Sequence, residues 1–333
     1  MRRYLTGRFL FLIPLLLVIS FANFALVSAM GNPFASMLQM PGVTQADIQR
    51  LLHLWHWDGP LPVRYLYWLK SIFSPSLRGG FSTSILGTTT IGLIMQKLPV
   101  TLILSGLSML IAIGLSIPLG IYCSLHQYSK TDYVITFFSF FGMSIPVFCF
   151  ALVLMYFLSY RIAIFPMGEL HSLFLSVGNN VVDFSQAPWF RRLLDYAWHL
   201  VLPVTVLVLF QIGRWLRYVR SSMLEVKRMD YIRTARAKGL SERKVIYKHI
   251  FRNGVLPLVT YFGLSFPGLV GGATITETIF AIPGLGRLTY DATMSQDVFV
   301  AMGTILFLSI FTALGSFIAD ILYAILDPRI RYE

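Results

Sequence analysis

Long charge-free apolar runs dominate the pattern of this chain, and polar residues are confined to the segments between them. Six runs, at about 9–30, 98–125, 133–160, 196–213, 253–276 and 298–319, each come near the roughly 20 helical residues that cross a ~30 Å hydrocarbon layer. They predict six membrane helices. A seventh stretch, 79–96, is also free of charge, but it is crowded with Gly, Ser and Thr and its hydropathy is weak. The pattern divides the chain into a first membrane helix (1–30), an outer segment (31–97) and a membrane core (98–333) interrupted by a basic segment at 214–252.

Within the outer segment, Thr44–Leu54 has helical character, with Thr44 as N-cap and Asp47 in the first turn. Trp55, Trp57, Tyr65, Tyr67 and Trp68 follow, an aromatic cluster of the kind found where a chain meets the membrane interface. A small cap packed on the outer ends of the helices is the expected structure. The second outer loop, Arg161–Asp195, reads only as polar.

Composition agrees with the pattern. The chain is 56% hydrophobic and 13% charged, far from the roughly 25% charged residues of soluble domains. Arg2, Arg3 and Arg8 precede the first run, and Val27-Ser28-Ala29 resembles a cleavage site, yet the apolar stretch exceeds a typical signal-peptide core. It is expected to stay as a membrane helix. Cys123 and Cys149 both fall in predicted spans, so neither a disulfide framework nor a metal site is suggested.

Charge fixes the orientation. With six spans and both termini on one side, that side holds 18 basic and 7 acidic residues, against 9 and 8 on the other. Basic residues near span ends stay in the cytoplasm, so both termini and segment 214–252 are expected there. That segment alone carries 12 of the 27 Lys and Arg. Topology thus accounts for the net charge of +12 without nucleic acid.

Inside the basic segment, Asp230 is a potential N-cap and Gly239 a potential left-handed stop. The helix between them, Tyr231–Lys238, would be only ~12 Å long and must dock to be stable. Ala235 and Ala237 would admit a close partner, with Arg233, Arg236 and Lys238 supplying charge. Ser241 then reads as the N-cap of the next helix. Lying on anionic lipid headgroups would explain the charge but not the caps, the paired alanines or the glycine.

The stretch Arg217–Gly239, followed by His249-Ile-Phe-Arg-Asn253 and Leu256-Pro257, resembles the permease subunits of ATP-binding-cassette importers for dipeptides and oligopeptides. So do Asp58-Gly-Pro-Leu-Pro62 with Tyr65 and Trp68, Ser144-Ile-Pro-Val-Phe148, Glu277-Thr-Ile-Phe-Ala-Ile-Pro-Gly-Leu-Gly286, Asp320-Ile-Leu-Tyr323 and Leu326-Asp-Pro-Arg329. The likeness covers nearly the whole chain. It implies the type I importer permease fold, an all-α integral membrane protein of six helices with cytoplasmic termini. It also implies that Asp230, Tyr231, Arg233, Thr234, Ala235, Arg236, Ala237, Lys238, Gly239 and Leu240 form the coupling helix that seats in an ATPase. The implied partners are a second homologous permease, two cytoplasmic ATP-binding subunits, an extracytoplasmic substrate-binding protein, membrane lipid and a peptide substrate. Two outer positions depart from the family pattern: Gly31-Asn32-Pro33 stands where Gly-Asp-Pro is common, and Arg78-Gly-Gly-Phe81 where Gly-Asp-Leu-Gly is common.

The chain contains no Gly-x-x-x-x-Gly-Lys-Ser/Thr phosphate loop. ATP and Mg are therefore expected on the partner ATPases, with no catalytic residue, cofactor or metal on this chain. Gly263, Gly268, Gly271, Gly272 and Ala273 cluster as small residues do where helices approach closely, and contact with the second permease is the expected role. Pro267 would kink the same span. Glu277 and Asp320 lie at span ends, where capping or interhelical hydrogen bonding is expected; Glu277, with Gly268, Gly271 and Gly272, is also a pathway candidate. His199 stands at the start of the fourth span. A proton-coupled transporter would need acids or histidines nearer mid-span. A nickel importer and an antimicrobial-peptide permease share the fold and stay open as alternatives.

Overall fold

A computed structural model describes residues 2–326 apart from 30, 75–78, 81, 84–86, 178, 179, 266, 267 and 272. In chain order the helices are α1 (Arg2–Ser28), α2 (Gln45–Leu54), α3 (Leu61–Phe73), α4 (Thr90–Leu125), α5 (Lys130–Ser144), α6 (Val147–Leu154), α7 (Trp189–Lys227), α8 (Asp230–Ala237), α9 (Glu242–Lys244), α10 (Arg252–Gly254), α11 (Leu256–Ser265), α12 (Gly268–Gly271), α13 (Thr274–Ile279), α14 (Leu285–Met294) and α15 (Val298–Leu326). Among the described residues, α1, α4, α7 and α15 contain stretches long and apolar enough to cross a membrane. Large apolar side chains of α1 such as Leu10, Phe11 and Val18 stay exposed, as a lipid-facing helix requires.

The third and fifth expected spans differ from straight helices. Residues 130–161 form two helices bent by 102°, and counting that pair as one span gives five. The bend sits at Ile145-Pro146: proline disfavours the helical conformation in the residue before it, and Ile145 is extended (φ −87°, ψ 132°). Beyond α6 the helix widens into a π-helical stretch, Met155–Arg161. The expected fifth span, 253–276, is divided among α10 to α13. Proline fits most readily in a first helical turn, and Pro257 is the second residue of α11. The expected kink at Pro267 lies outside the described residues. The all-α expectation is corrected by one hairpin in the second outer loop, where Phe174–Val177 pairs antiparallel with Asn180–Asp183.

α4 lies along α7, and α5 crosses the same helix. Gly213 makes that crossing possible, because a Cβ there would stand 2.5 Å from the Ser139 carbonyl oxygen. A Cβ on Gly263 would stand 2.5 Å from Cβ of Ala319 in α15. The expectation that Gly263 meets a second subunit is thereby corrected to packing within this chain.

α2 and α3 build the expected cap. Thr44 and Asp47 exchange hydrogen bonds at the start of α2 (3.0 and 3.3 Å), a reciprocal cap. Trp55, Trp57, Tyr65 and Trp68 are buried against Phe24 of α1 and Phe299 of α15. Tyr65 Oη lies 2.7 Å from Ser20 Oγ, so the cap joins the C-terminal end of α1 to the N-terminal end of α15.

Candidate functional site

α8 begins at the foot of α7 and hangs below it as an eight-residue helix. Its inner face is Ile232, fully buried, and Ala235, packed with Val219, Met223, Val226, Val245 and Ile250. This docking supplies the stability that so short a helix lacks alone. Asp230, Tyr231, Arg233, Thr234, Arg236, Ala237, Lys238, Gly239 and Leu240 are exposed. Ala235 therefore serves the chain's own core, which corrects its expected place against a partner, whereas Ala237 is exposed.

Both ends of α8 are built locally. Gly239 has φ +72°, and its N–H reaches the Arg236 carbonyl at 2.9 Å while Leu240 N–H reaches Ala235 at 3.4 Å. That is the Schellman arrangement, which needs a left-handed residue at this position. The N-terminus corrects the expected Asp230 cap. Met229 is the extended cap residue, and Asp230 is the first helical residue. Its side chain is 96% exposed and 3.6 Å from Arg233, where a carboxylate still favours the helix dipole. Ser241 holds the expected N-cap position of α9 but makes no side-chain hydrogen bond there.

Arg236 grips Glu242 through two hydrogen bonds (2.7 and 3.2 Å), which draw the Glu242 carboxyl below the usual carboxylate range. A second clamp holds the base of α7. Arg220 donates to both oxygens of Asp132 at 3.1 and 2.9 Å. Asp132 also accepts from Tyr128 N–H at 3.0 Å, and its N–H reaches the capping Ser129 hydroxyl. Nothing in sequence spacing linked residues 88 apart.

Glu277 is fully buried and caps a helix from outside it. Its Oε2 accepts from Arg287 N–H at 2.9 Å, and Oε1 accepts from the Thr101 hydroxyl at 2.7 Å. Thr101 Oγ1 in turn accepts Leu285 N–H at 2.7 Å. The first turn of α14, whose cap residue Gly284 has no side chain, is thus satisfied from α13 and α4. A Cβ on Gly284 would collide with the Glu277 carboxylate and one on Gly286 with Thr274, which accounts for the glycines of the run from Glu277 to Gly286. The capping expectation holds for Glu277. Asp320 pairs with Arg8 across α15 and α1 at 3.4 Å. His199 is buried in the N-terminal part of α7, its Nδ1 2.9 Å from the Asp195 carbonyl.

Gly268 is exposed on a cavity of about 400 Å³ lined also by Ser105, Gln211, Arg214, Tyr261 and Ser265. Gly271 ends α12, and Gly272 lies outside the described residues. Glu277 is turned into the protein and does not line this cavity. The polar side chains that do, Gln211 and Arg214 foremost, were invisible to a reading that treated residue 214 as the start of a loop; α7 carries them on one continuous helix to Lys227.

Residues 116–332 match the family described as the inner membrane component of binding-protein-dependent transport systems. The chain is 40% identical, over the full length of both proteins, to the oligopeptide transport system permease protein AppB of Bacillus subtilis. A Brucella abortus protein named as a peptide transport system permease is 34% identical over 96% of each chain. One from Sinorhizobium fredii, named as a peptide ABC transporter permease, is 32% identical over 91% of each. The chain belongs to the family of inner membrane components of binding-protein-dependent transport systems.

Proposed function

We propose that this chain is the permease subunit of an ATP-driven importer of dipeptides and oligopeptides, a multi-pass protein of the cytoplasmic membrane. The observation that carries the reading is the end-to-end 40% identity with an oligopeptide permease. The chain supplies half of a passage by alternating access and pairs with a second, related permease. Two cytoplasmic ATPases hold ATP and Mg, and an extracytoplasmic binding protein delivers the peptide. In this reading α10 to α13 together make a sixth crossing, and both termini are cytoplasmic.

α8 is the coupling element. Its exposed side chains, Tyr231 and Arg233 among them, seat on an ATPase, while Ile232 and Ala235 anchor it to α7. A partner that binds α8 better in one conformation than in another biases the membrane helices between states. The Arg236–Glu242 pair and the Gly239 turn keep the helix a rigid lever.

Gly239→Val tests this. No atom lies within 4 Å of a Cβ at Gly239, so the substitution acts through the backbone, where a left-handed residue with a side chain costs roughly 1–2 kcal/mol. In proteoliposomes holding the complete transporter, ATP-driven peptide uptake and ATPase association should fall while the chain still inserts. If both stay unchanged, α8 is not the coupling element.

A further inference from the structure

Four arginines of segment 214–252, Arg214, Arg228, Arg243 and Arg252, make no ion pair or side-chain hydrogen bond among the described residues, and of these Arg214 alone lines the cavity that Gly268 opens onto. Arg220 is paired with Asp132, Arg236 with Glu242, Arg233 with Asp230, and Arg217 rests over Phe140 at 5.3 Å. Arg214 is exposed on the cavity wall.

The cavity has a composition of its own. Leu207, Phe210, Gln211, Arg214 and Trp215 line it from α7, the i, i+3, i+4, i+7, i+8 spacing of one helical face. Opposite stand Tyr261, Ser265 and Gly268 of the divided segment. Irregular backbone at membrane depth is tolerated where it is buried in protein or lines a water-filled space. Apolar walls, an amide, hydroxyls and one uncompensated guanidinium meet within about 400 Å³, inside the range of small-ligand pockets.

We propose that Arg214 binds the C-terminal carboxylate of the peptide in transit, with the Gln211 amide beside it serving the peptide backbone. This rests on the peptide-permease reading given above. A short peptide offers what the cavity complements: apolar side chains, amide groups and one terminal carboxylate. Guanidinium and carboxylate match as a planar two-pronged pair. At an exposed position that pair is weak enough to release its ligand, as a passage requires. Arg214 is then a specificity residue of the pathway, separate from the binding protein that first selects the peptide.

A lipid phosphate offers the same anionic chemistry, and the experiment separates the two sources. The complete transporter is reconstituted with its binding protein at saturation, and ATP-driven uptake of trialanine and of trialanine amide is measured. Arg214→Gln should lower trialanine uptake about tenfold, the scale of one hydrogen-bonded charge pair, and leave the amide unchanged. Arg214→Lys, which keeps the charge without the fork, should fall between. Equal slowing of both peptides, or no change in either, overturns the assignment. So does an effect present in vesicles containing phosphatidylglycerol and absent in pure phosphatidylcholine, which would make a lipid phosphate the ligand. Copurification of the ATPases with each variant checks assembly. If the unsubstituted transporter carries no trialanine, the peptide reading itself falls, and this assignment with it.

Discussion

Asp132 shows how one carboxylate can set the geometry of a distant element. Its side chain is 3% exposed and that of Arg220 is 26%, so removing the acid strands a partly buried guanidinium. Asp132→Asn should cost about 2–3 kcal/mol, the range for hydrogen bonds to charged groups, read as a lower melting temperature in detergent. An unchanged melting temperature would rule the clamp out as a contributor. Thr101 gives a second test. It accepts one hydrogen bond and donates another at a fully buried site. Thr101→Val keeps the shape but leaves Leu285 N–H unpaired, at about 1–3 kcal/mol, and Thr101→Ser should restore most of the lost melting temperature.

Elements were legible where their signals are local. α8 came out of the sequence within one residue because its glycine stop, its length and its basic face all lie within ten positions. The reciprocal Thr44–Asp47 cap was legible for the same reason. Asp230 was misread because a capping residue type does not reveal whether the residue before it is already extended, as Met229 is. Proline disfavours a helical predecessor, yet Pro14, Pro99, Pro118 and Pro203 sit inside continuous helices, so proline alone did not single out Pro146 as a bend. Hydropathy outweighed it there. The Thr101–Glu277 link was beyond reach, because 176 residues separate the two and Gly284 contributes no side chain to signal a cap. The cavity face of α7 was hidden by charge: a basic residue after an apolar run reads as the end of a span, whereas the helix continues through 13 further residues from Arg214 to Lys227.

At the scale of the whole molecule, the open question is parity, and three exposed positions resolve it. Gln186 precedes α7 and Ser241 follows α8, so α7 alone separates them within the membrane. Its 39 residues span ~58 Å at 1.5 Å per residue, nearly twice the hydrocarbon layer. Those two positions must lie on opposite sides however the other segments are counted. Ser295, between α14 and α15, tests the divided segment. The 28 residues from Arg252 to Ile279 would reach ~42 Å as helix, enough for a crossing despite the interruptions, whereas a re-entrant path would return Ser295 to the side of Ser241. Single cysteines at the three sites, in a chain with Cys123 and Cys149 replaced by alanine, should react with a membrane-impermeant maleimide as follows. Positions 186 and 295 label in intact cells, and position 241 labels only after permeabilisation. Labelling of 295 together with 241 would leave five crossings and an extracytoplasmic C-terminus, and labelling of 241 from outside would invert the orientation that the basic residues assign to α8.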